Sequence, residues 1–74
     1  MDTTFYDTYM DFVTQNVTEK YRNAFANIAT ARLVWGGLDD IEKQRGFSPF
    51  GYDHYTFDNI REAMWFVGFN GFLD

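Results

Sequence analysis

Cysteine is absent from this chain. That excludes disulfides, thiolate metal sites and cysteine nucleophiles, and it fits a reducing compartment. Histidine and serine occur once each, at His54 and Ser48, and proline only at Pro49. A chain so poor in these residues offers little for nucleophilic or general acid–base catalysis. Basic residues are also scarce: six Lys and Arg stand against eleven Asp and Glu, for a formal charge of −5. This is the wrong sign for a phosphate-binding surface and argues against direct nucleic-acid contact. The longest uncharged apolar run, Ala63 to Phe69, is far too short to span a bilayer. The acidic N-terminus has no basic n-region or apolar h-region, so a cytoplasmic protein with no membrane partner is expected.

What the chain has in abundance is aromatic side chains: nine Phe, five Tyr and two Trp among 74 residues. At this length a single domain over 1–74 is expected. A chain of this mass exposes roughly 4,700 Å² folded against about 12,600 Å² unfolded, which makes a marginal core. With disulfides excluded, dense aromatic packing, oligomerisation or both must support it. The charge is uneven along the chain. Residues 1–17 carry Asp2, Asp7 and Asp11 and no base. Residues 18–37 are net basic through Lys20, Arg22 and Arg32, and the remainder is again acidic. The basic middle is expected to pair with the acidic segments around it.

Four segments have helical character. From Thr4 to Asn16, Phe5, Tyr9 and Phe12 form an apolar stripe, and Thr4 to Asp7 reads as a capping box. From Thr18 to Trp35, Val17, Tyr21, Ala24, Phe25, Ile28, Ala31 and Trp35 follow the 3.6-residue period, and Gly36 or Gly37 is expected to end the helix. Leu38 to Arg45 has acids first and bases last, the order the helix dipole favours, and reads as a separate short helix ended by Gly46. Thr56 is a good N-cap for a last helix whose stripe is Phe57, Ile60, Met64 and Val67, ending near Gly68. Between the last two helices lies an aromatic-rich loop, Phe47 to Tyr55, broken by Ser48-Pro49 and Gly51. No segment alternates cleanly at period two, although Val34-Trp35 and Phe66-Val67 are ambiguous on propensity. The expectation is an all-α fold: a small bundle of three main helices plus one short helix, with the aromatic loop.

The chemistry-bearing patterns are sparse. His54 has Asp53 as its chain neighbour, but adjacent residues seldom face each other, so it reads as a loop histidine satisfied by solvent or a turn. The carboxylate pairs Asp7/Asp11, Asp39/Asp40 and Asp58/Glu62 read as solvated helix faces. Neither a calcium loop, a G-x-S-x-G elbow nor a phosphate loop is present. No catalytic, cofactor or metal residue is assigned, and no enzymatic activity is expected.

The off-stripe aromatics remain. Successive residues on a helix are about 100° apart, so Trp65 and Phe66 cannot enter the same small core as Met64 and Val67. Arg61 lies one turn before Trp65, and Trp and Arg dominate interaction hot spots. The residues expected to meet a partner are therefore Phe47, Phe50, Tyr52 and Tyr55 of the loop, Arg61, Trp65, Phe66 and Phe69, with Asp39 and Asp40 as acidic rim.

In size, acidity, lack of cysteine and aromatic density the chain resembles small phage-encoded inhibitors of the anti-CRISPR and DNA-mimic antirestriction kind. That resemblance implies a non-catalytic inhibitor that binds and blocks a host nucleic-acid-handling complex in the host cytoplasm. A DNA mimic would place acids like phosphates in a basic groove; a steric inhibitor would use an aromatic hot spot with acidic steering. The modest charge favours the second, with a protein of basic surface as partner. The alternative is a structural or self-assembling module, in which the surplus aromatics close a homodimer.

Overall fold

A computed structural model describes residues 1–46 and 51–71 of the chain. It is all-helical: α1 spans Thr3–Asn16, α2 Glu19–Phe25, α3 Ile28–Arg45 and α4 Phe57–Phe66. Three of these are main helices and α2 is the short one, with seven residues. No strand forms among the described residues, and Val34-Trp35 and Phe66 lie in helix.

Each helix is bounded by local chemistry. Asp2, not Thr4, caps α1: its carboxylate accepts the Phe5 amide at 2.8 Å, and a charged acceptor at that site outcompetes a hydroxyl. Thr4 is already inside the helix, where its carbonyl accepts the Thr8 hydroxyl. Thr56 caps α4 by accepting the Asn59 amide.

The segment expected as one helix from Thr18 to Trp35 is instead two, and the break falls at Ala26-Asn27. Asn27 accepts the Thr30 amide at 2.8 Å and donates to the Ala24 carbonyl at 2.9 Å. The hydroxyl of Tyr9, from α1, donates to the Phe25 carbonyl at 2.8 Å. Backbone groups freed by the break are thus satisfied by side chains. The break also rotates the two halves, and Tyr21 and Ile28, read as core, are exposed.

Conversely, Gly36-Gly37 does not end a helix. Both residues lie within α3, which runs on through the segment expected as separate and stops at Gly46. Gly37 is where α4 crosses. A Cβ there would stand 2.7 Å from Val67 Cγ1 and 3.3 Å from the Ala63 carbonyl oxygen, whereas one on Gly36 would meet nothing within 4 Å. The glycine pair is a seat for the neighbouring helix, bought with helix propensity.

The core fills the space between these helices with Phe5, Tyr9, Phe12 and Val13 of α1, Val17 beyond it, Ala31, Val34, Leu38 and Ile41 of α3, and Ile60, Ala63 and Met64 of α4. Rings meet edge to face at Phe5–Trp35, with centroids 4.7 Å apart, and at Phe12–Phe57, 5.4 Å apart. Such geometry adds about 0.5–1.5 kcal/mol per pair beyond area burial. Past α4 the chain reverses through Gly68 at φ +101°. The Phe69 amide donates to the Met64 carbonyl and the Gly68 amide to the Trp65 carbonyl. This Schellman closure turns the chain back over the core, and Phe69 packs edge to face on Phe25 at 5.0 Å.

Two outcomes follow, both read by denaturant unfolding. Gly37→Ala should destabilise by about 1–3 kcal/mol through overpacking, while Gly36→Ala should be neutral or gain up to about 1 kcal/mol. Tyr9 concerns alkaline pH: burial pushes its hydroxyl above the ordinary value of 10.0. The folded state therefore holds a proton that the unfolded chain gives up, and stability should be intact below pH 10.0 and fall as pH rises beyond it. Tyr9→Phe should flatten that alkaline loss and cost about 1 kcal/mol at neutral pH.

Candidate functional site

The residues expected to meet a partner divide into two groups. Trp65 and Phe66, at the C-terminal end of α4, are 53% and 42% exposed. They stand off the face that buries Ile60, Ala63 and Met64. Arg61 precedes them by one turn, with its guanidinium 2.6 Å from Asp58 Oδ1. Tyr55 is 41% exposed and Asp40 is exposed. By contrast, Tyr52 is buried, Phe69 packs on the core, and Asp39 is occupied by His54. Phe47 and Phe50 lie outside the described residues.

The loop residues that turn inward form a polar cluster between α3 and α4. Tyr52 and His54 are buried while Asp53 and Tyr55 are exposed. The Tyr52 hydroxyl donates to Glu62 Oε1 at 2.8 Å, the same oxygen that Arg45 Nη1 reaches at 2.9 Å. These two donors hold the Glu62 carboxyl below its ordinary value, Tyr52 contributing first and Arg45 second. Burial, and then the Glu62 carboxylate, push the Tyr52 hydroxyl up to about 12. The chain of contacts ties α3, the loop and α4 together.

His54 is the centre of the second half of this cluster. Its ring lies 4.4 Å from that of Trp35. Nδ1 is 2.6 Å from the Tyr52 carbonyl oxygen and Nε2 is 2.7 Å from Asp39 Oδ1. A carbonyl oxygen can only accept, so Nδ1 is the donor in the contact with Tyr52. Asp53, the chain neighbour, faces elsewhere: its carboxylate accepts the Tyr55 amide. Tyr55 in turn donates to Asp2 Oδ2 at 3.0 Å, pinning the loop to the start of α1. His54 is thus a buried, paired residue rather than one satisfied by solvent.

The Asp39–His54 pairing was not legible in the sequence, because the partners are fifteen residues apart. One signal existed. Tyr52 and His54 sit two apart, flanking an acid, and period-two alternation in an extended segment sends both to one side.

The expected pairing of the basic middle with the acidic segments is not seen among the described residues. Among the described residues Lys20, Arg22 and Arg32 make no ion pair; Arg22 Nε donates to the Val17 carbonyl, Lys20 Nζ lies over the Tyr21 ring, and Arg32 lines a shallow groove with Asp2, Tyr6 and Ile28. No described helix is long and apolar enough to cross a membrane. Comparison with family models, curated proteins and solved structures gives no match to this chain.

The two tryptophans therefore have opposite placements. Trp35, half-buried among Phe5, His54 and Tyr55, should cost about 3 kcal/mol or more when truncated to Ala. Trp65→Ala should change stability by about 1 kcal/mol or less. Urea unfolding of the two variants checks both values.

Proposed function

We propose that this chain is a non-catalytic, protein-binding inhibitor that docks through an aromatic hot spot on a nucleic-acid-handling complex of its host. The observation that supports the reading is the pair Trp65 and Phe66, 53% and 42% exposed side by side on one end of α4. A marginal domain that needs buried rings to fold keeps these two about half exposed. Adjacent exposed aromatics of this size are characteristic of interaction hot spots. Around them the chain is acidic, with Asp7, Asp11, Asp40, Asp53 and Asp58 exposed. Acidic charge steers association toward a basic surface, while the aromatic contact sets how long the complex lasts. The inhibitor class and the nucleic-acid-handling partner come from the compositional likeness to anti-CRISPR and antirestriction proteins.

The buried histidine does not favour an enzyme. Its two ring nitrogens are occupied by the Tyr52 carbonyl and the Asp39 carboxylate.

The test is affinity capture from native-host lysate with the wild-type chain and with Trp65→Ala, followed by binding kinetics on the protein retained. Trp65→Ala should weaken binding by about 2 kcal/mol or more, roughly thirtyfold, mainly through faster dissociation. Rising salt should slow association and leave dissociation nearly unchanged. Equal capture by both forms would overturn the reading. A concentration-dependent dimer that Trp65→Ala abolishes would instead assign the surface to self-assembly.

A further inference from the structure

We propose that Asp39, Glu42 and His54 form a binding site for a divalent transition-metal ion of the zinc class. One ligand atom from each of the three lies within 4.8 Å of the other two. Asp39 and Glu42 are three residues apart on α3 and share a face; His54 arrives from the loop. A histidine with two carboxylates suits zinc, whereas calcium and magnesium prefer sites made of oxygen alone.

Two features set this cluster apart from an ordinary acidic surface. The first is the orientation of His54. Its Nδ1 donates to the Tyr52 carbonyl at 2.6 Å, the outer-shell contact by which metal-binding histidines fix their tautomer and present Nε2 to the ion. With that hydrogen on Nδ1, Nε2 and Asp39 Oδ1, 2.7 Å apart, face each other as two electron-pair donors unless a positive species stands between them. A metal ion can take that place. The second feature is Glu42. It is half-buried, and its carboxylate, which stands against Gly51 at the mouth of the loop, has no hydrogen-bond or ion partner among the described residues.

Metal–ligand distances near 2.0 Å at a tetrahedral angle require about 3.3 Å between ligand atoms. Nε2 and Asp39 must therefore separate slightly as the ion enters, a shift that rotation of the half-exposed aspartate supplies. Three protein ligands leave a fourth position open to solvent on the side of Asp39 and Glu42. The bound ion clamps the loop holding Tyr52, His54 and Tyr55 to α3, in a domain that has no disulfide to do so. This site is independent of the surface at Trp65 and Phe66.

The chain has a single histidine, so imidazole nitrogen resonances in a tag-free, ¹⁵N-labelled sample belong to His54 without assignment. Titration with zinc chloride should saturate at one equivalent, move the Nε2 resonance to the metal-bound range, keep the hydrogen on Nδ1, and raise the melting temperature. Glu42→Gln, which removes no side-chain hydrogen bond among the described residues, should keep the fold by circular dichroism and weaken zinc binding more than about tenfold; Asp39→Asn should do likewise. An Nε2 resonance that stays put up to millimolar zinc would overturn the proposal, as would Glu42→Gln binding as tightly as wild type. Binding that never saturates counts against it equally.

Discussion

The contact on which this fold depends is the close crossing of α3 and α4 at Gly37. A side chain there would collide with Val67 and with the Ala63 carbonyl, so the two helices approach as closely as they do only because that position has no Cβ. The crossing fixes the rotation of α4. Once Ile60, Ala63 and Met64 are turned into the core, Trp65 and Phe66 must point out, and Schellman closure through Gly68 carries Phe69 back inward. The same crossing sets Tyr52 and Arg45 on Glu62, and so determines where the loop before α4 is anchored. Surface and polar cluster are both consequences of one steric decision.

Much of this was legible in the chain and some was not, for identifiable reasons. The stripe Phe5, Tyr9, Phe12 and the off-stripe placement of Trp65 and Phe66 follow from helical period alone, and they are seen. The misread boundaries have a common cause. Gly36-Gly37 carries the chemistry of a helix end, but tertiary packing uses it as a contact surface. Ala24 to Ala31 carries the propensity of a continuous helix, but Asn27 and the distant Tyr9 hydroxyl stabilise a break. In both places a long-range partner outweighed a local preference of about 1 kcal/mol. No local rule brings Asp39 to His54, since that pairing exists only once α3 and the loop are in place.

The polar cluster also shows how a small domain without disulfides holds an irregular segment. Tyr52 and His54 are buried, yet among the described residues no buried side-chain donor or acceptor is left without a partner. Tyr55 reaches Asp2 across 53 positions of sequence. Exposed ion pairs such as Arg45–Glu62 contribute little singly, but here the glutamate also accepts from a buried tyrosine. The loop's position therefore depends on a network rather than on any one pair.

The central claim is that the aromatic surplus is divided, with Trp35 packed into the fold and Trp65 about half exposed at the end of α4. Acrylamide quenching of the single-tryptophan variants Trp35→Phe and Trp65→Phe, each diluted to a monomer, tests this most directly. The account predicts red-shifted, readily quenched emission from Trp65 and blue-shifted, shielded emission from Trp35. Shielded emission from Trp65 in the dilute monomer would contradict it, because that ring would then belong to the core.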